Sequence, residues 1–237
     1  MLKKTYGMKN NYNLKTTCNP GESGKAYRLG DGLILWRPND GRDVIKKHHP
    51  NTIGGVYLKR HSQRIGEIDI TLLRKVVDEF ITKNNYVLPS DDDIVIHLRL
   101  GDIGPIHRKN IPHEQELSEV INVIETAIKD KPNKKVIIVT ALHLAKGRDD
   151  KFVYGTLPNI ISYLKDNNIN YEIKSASIDE DFCFLVKAKS LICTMGGFSL
   201  LAYLCNENNK FILEGNSDVM KCYSHWVPRH KAEFKII

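Results

Sequence analysis

From residue 90 onward, short apolar runs alternate with longer segments whose apolar residues recur every three or four positions. The short runs predict strands and the longer segments predict amphipathic helices. The predicted strands are 94–98, 135–140, 171–174, 190–194 and 210–213, and the predicted helices are 114–129, 157–166, 179–188 and 198–206. This alternation is typical of a parallel sheet covered on both faces, so residues 90–237 are predicted to form one α/β, Rossmann-like domain.

The first 89 residues show a weaker pattern. Residues 1–30 are polar and rich in glycine and asparagine, which predicts loop, and residues 32–36 predict a short strand before an exposed loop at 38–52. Residues 70–84 predict a helix with one apolar face, formed by Leu72, Leu73, Val76, Val77 and Phe80. A turn at 89–93 is the predicted boundary. Residues 1–89 are therefore expected to form a reduced α/β segment that faces the larger domain across a cleft.

Composition excludes several classes of protein. With 41% hydrophobic and 27% charged residues, the 237-residue chain has enough apolar residues for a core. No run of about 18 apolar residues exists, and the N-terminal residues lack the apolar stretch of a signal peptide, so we expect a cytoplasmic protein, bacterial or in an infected host cell. The five cysteines form no C-x-x-C pair. Cys183, Cys193 and Cys205 lie in apolar runs, which predicts buried core thiols.

The formal net charge is +7, which is compatible with nucleic acid, an anionic surface or a phosphate-bearing substrate. The basic residues are scattered along the chain and are not interleaved with aromatic residues that would stack on bases. A small phosphate-bearing ligand is therefore favoured over nucleic acid. The acidic run 91–93 precedes a strand, at the wrong edge of the sheet for a metal-dependent site, and no metal is expected.

Two segments at predicted carboxyl ends of strands carry candidate chemistry. The first begins at His97 and includes Arg99, Gly101 and Asp102. An arginine here can donate two N–H bonds to a phosphate, the glycine allows a close turn, and the carboxylate can accept from a ribose hydroxyl or orient the arginine. The alternative is an ordinary strand end with one buried histidine and one surface arginine.

The second segment follows the strand predicted at 190–194. It runs through Thr194, Gly196, Gly197 and Ser199 into a helix, so free backbone N–H groups and hydroxyls are expected to form a diphosphate cradle. The alternative is an ordinary turn with a helix cap. Both segments belong to the same predicted edge of one sheet, and ligands of open parallel sheets bind there.

The hexapeptide His-Leu-Arg-Leu-Gly-Asp at 97–102 resembles the H-x-R-x-G-D motif of the fucosyltransferase superfamily. The stretch 181–204 resembles the later motif of that superfamily, in which an acidic residue and an F-x-x-L helix precede a strand, a small-residue loop and F-S-x-x-A-x-L. The resemblance covers residues 92–214. Leu100 stands where many members carry a second arginine, and the N-terminal portion is short.

The resemblance implies a GT-B fold and inverting, metal-independent transfer of a sugar, with fucose expected, from a GDP-sugar donor to a glycan or glycoprotein hydroxyl. It implies that Arg99 holds the diphosphate and that His97 supports the loop or touches the nucleotide. The residues implied to line the phosphates are Thr194, Gly196, Gly197 and Ser199. Either Asp179 or Asp181 is implied to contact the base or ribose.

The resemblance also places a catalytic base shortly after the first motif. His107 lies near that position and has no carboxylate rival between it and Asp102, so His107 is the predicted base and Asp102 the alternative, followed by Asp179 and Asp181. Two other functions stay open: a polysaccharide pyruvyl transferase-like enzyme, and a non-catalytic relative that binds a nucleotide-sugar or glycan.

Overall fold

The computed structural model describes residue 14 and residues 51–60, 68–101, 113–129, 134–143, 151–194 and 197–212. Within these ranges helices and strands alternate in an α/β fold, as predicted. The strands are β1 (Ile94–Gly101), β2 (Val136–His143), β3 (Tyr171–Lys174), β4 (Ser190–Cys193) and β5 (Asn209–Ile212). The helices are α1 (Ile53–Arg60), α2 (Ile70–Asn84), α3 (His113–Ile128), α4 (Lys151–Asp166), α5 (Ile178–Lys187) and α6 (Gly197–Cys205).

The five strands form one parallel sheet in the order β3-β2-β1-β4-β5. β2 and β3 lie in turn on one side of β1. The chain then crosses over the sheet, so that β4 and β5 lie on the other side of β1. Connections that leave in opposite directions from two neighbouring strands open a crevice at their carboxyl ends. The crevice of this sheet therefore lies between β1 and β4.

Helices cover both faces of the sheet. Alternate residues of β1 enter different cores: Val95 joins the core under α1, α2, α5 and α6, whereas Ile94, Ile96 and Leu98 join the core under α3 and α4. This two-residue period is the geometry of a strand whose two faces are both buried. Leu14, from the segment predicted to be mostly loop, packs into the core under α3 and α4 and is 5% exposed.

Helix α2 has the bounds that the sequence predicts, because its ends carry strong local capping residues. The Asp69 side chain accepts a hydrogen bond from the Leu72 N–H at the start. At the end, Asn85 adopts a left-handed conformation with φ of 51° and its N–H bonds the Ile81 carbonyl. The predicted apolar face is confirmed, with Leu73 and Val76 fully buried.

Several other predicted bounds are corrected. β1 extends to Gly101 rather than ending at residue 98, because its register with β2 continues through Gly101 and His143. Most of the first motif therefore lies within the strand and not in a loop after it. Helix α4 begins at Lys151, six residues earlier than predicted, and contains Pro158, whose helix-breaking character favours a later start in sequence reasoning.

Helix α1 was not predicted from the sequence. It contains the pair Gly54 and Gly55, which are poor helix formers, and it has only eight residues. Tertiary contacts hold it instead. The Thr52 hydroxyl caps its first turn by accepting from the Gly55 N–H, and the Tyr57 hydroxyl accepts from the Asp69 N–H at 2.8 Å. The two glycines are buried, which suits close packing of the helix backbone.

The N-terminal predictions have mixed outcomes. The strand at 32–36 and residues 38–50 of the predicted loop lie outside the described residues. The domain boundary near residue 89 and the cleft stay predictions, although α1 and α2 share one core with α5, α6 and the sheet. None of the helices in the described ranges has the length and apolar character needed to cross a membrane.

The predicted core thiols are confirmed. Cys183, Cys193 and Cys205 are free and buried. Burial raises the pKa of Cys183 and of Cys205 to about 12, and it raises the pKa of Cys193 further. A thiol that stays protonated at neutral pH is a poor nucleophile and metal ligand, so these three side chains act as core residues.

Asn206, directly after α6, is hydrogen-bonded to the end of α5. Its side chain is fully buried, and the amide donates to the carbonyls of Leu185 and Ala188 at 3.0 and 2.8 Å and accepts from the Asn208 N–H at 2.7 Å. Asn206→Leu leaves these buried groups without their partner, so we expect a loss of about 2–4 kcal/mol in unfolding free energy, measured by urea denaturation.

The matched control is Asn167→Leu, because the Asn167 amide bonds the Tyr163 carbonyl at an exposed helix end. We expect this control to change stability by less than about 0.5 kcal/mol. Equal effects of the two substitutions would contradict the structural role assigned to Asn206.

Candidate functional site

Five of the eight buried polar or charged residues in the described ranges surround the carboxyl end of β1. They are His97, Arg99, Thr140, Thr194 and Ser199, each 8% exposed or less. A core accepts polar side chains at low cost only where they are hydrogen-bonded to one another or to the backbone. Their concentration at the β1–β4 crevice makes this cluster the candidate site.

His97 lies on the same face of β1 as Val95, under α6. Its Nδ1 forms a hydrogen bond with the Ser199 hydroxyl of α6, across a sequence separation of 102 residues. Its ring also lies 5.2 Å from the Phe198 ring, which in turn lies 5.5 Å edge-on from Phe182 of α5. This hydrogen bond and the row of two aromatic rings therefore hold the imidazole.

Arg99 follows two residues later on the same face of β1. The residue is 6% exposed and its Nε is fully buried. The burial of Arg99 contradicts the alternative interpretation, in which this arginine lies on the surface. This side chain places a guanidinium on the central strand at the crevice, and a guanidinium is the donor group best suited to a phosphate or carboxylate.

Two threonines hold the main chain between these side chains. Thr140 of β2 donates its hydroxyl to the Leu98 carbonyl at 2.7 Å. On the other side of β1, Thr194 donates its hydroxyl to the His97 carbonyl at 2.9 Å and accepts from the Arg99 N–H at 3.2 Å. Sequence reasoning named Thr194 as a phosphate ligand, but it did not identify Thr140. A threonine inside an apolar strand run could have indicated a special position.

The remaining residues of the two motifs are placed as follows. Gly101 ends β1, and Gly197 begins α6, so both lie at the carboxyl edge of the sheet as predicted. Asp102, His107 and Gly196 lie outside the described residues. The backbone N–H groups of the first turn of α6 lie at this edge, where the positive end of a helix dipole favours an anion.

Asp181 has a local structural role. Its carboxylate accepts from the Ala176 N–H with both oxygens, at 3.1 and 3.2 Å, and the residue is 6% exposed. The neighbouring Ser177 hydroxyl caps α5 by accepting from the Glu180 N–H. Together these bonds hold the turn that leads from β3 into α5. The predicted contact of Asp181 with a base or ribose stays a prediction.

Asp179 lies in the first turn of α5, also at the carboxyl edge of the sheet, and one helical turn before Phe182. Its Oδ1 accepts from the Ile53 N–H at 3.2 Å, which ties the start of α1 to the start of α5. Burial raises the pKa of this carboxyl to about 6, and the bond from Ile53 opposes the rise. A raised carboxyl pKa at such an edge is a feature of functional sites.

The cluster offers cationic and neutral donors rather than a set of metal ligands. In the part of the chain that the structure describes, no three His, Cys, Asp or Glu side chains lie close enough together to hold a metal ion. Comparison of the chain with family models, with curated proteins and with solved structures finds no match.

The raised pKa of Asp179 has a consequence for stability. A group whose folded pKa exceeds its unfolded pKa stabilises the fold while it is protonated, and this contribution is lost as the pH rises from about 4 to about 6. Asp179→Asn keeps an oxygen for the Ile53 N–H and carries no charge. We expect it to be about 1 kcal/mol more stable than the wild type at pH 7.5, with the gain disappearing below pH 4.

The measurement is thermal or urea unfolding across pH 3.5–7.5. Asp92→Asn provides the control, because Asp92 is an exposed carboxylate in a turn. An Asp179→Asn variant that is less stable than the wild type at pH 7.5 would show that the ionised carboxylate stabilises the fold.

Proposed function

We propose that this protein is a glycosyltransferase that transfers a sugar, with fucose expected, from a GDP-sugar to a glycan hydroxyl with inversion. The observation that supports it is the meeting of the two motif segments. His97 and Arg99 of the first contact Ser199 and Thr194 of the second through direct hydrogen bonds. The segments that resemble the two motifs of one superfamily are therefore in direct contact.

Arg99 is the proposed ligand of the diphosphate. It lies at the switch point of a parallel sheet, where nucleotides bind in doubly wound folds. A planar guanidinium matches two phosphate oxygens. The departing diphosphate gains negative charge as the glycosidic bond breaks, and a nearby positive charge stabilises it. The N-terminus of α6, beginning at Gly197, supplies further backbone donors at the same edge.

The proposed reaction needs one proton acceptor. The acceptor hydroxyl oxygen forms a bond to the anomeric carbon, the bond from that carbon to the diphosphate oxygen breaks, and GDP leaves with the bonding electron pair. The hydroxyl proton passes to a base. His107 remains the base proposed from the sequence, with Asp102 as its rival. Asp179 is a third candidate, because a carboxyl with a pKa of about 6 is mostly ionised at pH 7.5 and still accepts protons.

A GT-B architecture is part of the proposal and rests on the resemblance. What supports it is the parallel sheet with its crevice between β1 and β4. The non-catalytic alternative uses the same arginine to bind the nucleotide without transfer, and a pyruvyl transferase would prefer phosphoenolpyruvate. A thermal-shift screen with GDP, UDP, CMP and phosphoenolpyruvate separates these donors, and a donor-hydrolysis assay with GDP-fucose separates an enzyme from a binder.

Arg99→Lys and Arg99→Met test the site directly. Because an ammonium cannot reproduce a forked contact and a thioether carries no charge, we expect both substitutions to weaken GDP binding by about 1.5–3 kcal/mol in calorimetric titrations. The control is Arg60→Met, since Arg60 forms an exposed ion pair with Glu79 on α2.

Each variant is first checked for folding by circular dichroism and its unfolding midpoint. The site assignment fails if folded Arg99→Lys and Arg99→Met proteins bind GDP as tightly as the wild type. The donor assignment fails if the wild type itself is stabilised by phosphoenolpyruvate or UDP and not by GDP.

A further inference from the structure

The hydroxyls of Thr194 and Ser199 were expected to bind phosphate, but the structure gives both of them partners within the site. A threonine hydroxyl has one hydrogen to donate. In Thr194 that hydrogen is directed at the His97 carbonyl, 2.9 Å away, and the side chain is 1% exposed. The Ser199 hydroxyl, also 1% exposed, is bonded to His97 Nδ1. The Thr194 hydrogen is therefore used by the His97 carbonyl, and both buried hydroxyls have partners inside the site.

The Thr194 side chain replaces a backbone group in the sheet. The β1–β4 register pairs His97 with Cys193, and the Thr194 N–H then bonds the His97 carbonyl at 3.3 Å. In a regular parallel ladder the next bond runs from the Arg99 N–H to the Thr194 carbonyl. Here the Arg99 N–H bonds Thr194 Oγ1 instead. The ladder is thus completed by a side chain, and the Thr194 carbonyl is not needed for it.

This replacement lets the chain leave the sheet directly after β4 while Arg99 stays anchored. Thr194, the first residue after β4, thus keeps its side chain bonded to β1 where the backbone pairing ends. Ser199, two residues into α6, lies against the His97 ring. The two hydroxyls therefore fix the main chain at residue 99 and the ring at residue 97.

We infer that Thr194 and Ser199 are positioning residues: the Thr194 hydroxyl holds the Arg99 main chain and the Ser199 hydroxyl holds the His97 ring, and neither contacts the ligand. This inference uses the proposed function only for the identity of the nucleotide. The bond at Nδ1 holds the orientation of the ring, and the serine hydroxyl can either donate to this nitrogen or accept from it.

The first test compares Thr194→Val with Thr194→Ser. Valine has the shape of threonine without the hydroxyl, whereas serine keeps it. We expect Thr194→Val to speed hydrogen exchange of the Arg99 amide at least tenfold and to weaken GDP binding roughly tenfold, the effect of one or two lost hydrogen bonds. Thr194→Ser should stay within about threefold of the wild type in both measurements.

The matched control is Thr82→Val, because the exposed Thr82 hydroxyl bonds the Asp78 carbonyl within α2. It should change neither measurement. The inference is overturned if Thr194→Val binds GDP like the wild type, or if Thr194→Ser is as defective as Thr194→Val, since rescue requires that the hydroxyl itself acts on the main chain.

The second test uses the unliganded protein, so it is independent of the proposed function. The protein is labelled with ¹⁵N-histidine, and His97→Gln assigns the His97 resonances among those of the nine histidines. We expect Ser199→Ala to shift the Nδ1 resonance of His97, because the hydrogen bond at that nitrogen is lost. An unchanged Nδ1 resonance in Ser199→Ala overturns the inference, whereas a wild type that fails to bind GDP overturns only the proposed function.

Discussion

The hydrogen bond from the Arg99 N–H to Thr194 Oγ1 is the interaction on which the geometry of this site depends. A parallel ladder normally continues with backbone groups on both strands, and each strand then keeps its neighbour at a constant distance. At Thr194 a side chain takes over the bond. The Arg99 N–H therefore keeps a partner on this side of β1 beyond the last backbone pair of β1 and β4.

The polar cluster lies within a fold that is otherwise apolar on both sides of the sheet. The cores under α5 and α6 and under α3 and α4 supply the stability, because burial of apolar area is the main favourable contribution to folding. Placing an imidazole and a guanidinium on the face of β1 that packs under α5 and α6 costs free energy unless their groups are bonded. The Ser199 hydroxyl reduces this cost for the imidazole and holds the ring, whereas the hydroxyls of Thr140 and Thr194 hold the main chain of β1.

The start of α5 connects this cluster to the N-terminal helices. Phe182 contacts Phe198, which contacts His97, so the packing of α5 reaches the imidazole through two aromatic rings. One turn earlier, Asp179 receives the Ile53 N–H from α1. Burial of this carboxyl disfavours its ionised form. Sites that perform chemistry often retain such costs, because groups placed for function are not optimal for stability.

The sequence by itself determined the order of most of the elements and the faces that they bury. Helix α2 and strand β3 were predicted with their observed bounds, because apolar period and capping residues such as Asp69 act within a few positions. The sequence also indicated that the segments at His97 and at Thr194 share one edge of the sheet, which follows from parallel strand order alone.

Only the tertiary structure decided the parts that depend on distant contacts. Helix α1 forms in spite of its two glycines because contacts outside the helix hold it. Its Ile53 N–H donates to the Asp179 carboxylate, and its Tyr57 hydroxyl accepts from the Asp69 N–H. β1 extends to Gly101 because β2 continues beside it. The sequence likewise left the roles of Thr194 and Ser199 open, because a hydroxyl can form hydrogen bonds with a ligand or with other groups of the protein. The partners of these two hydroxyls lie about 100 residues away in sequence, so only the fold identifies them.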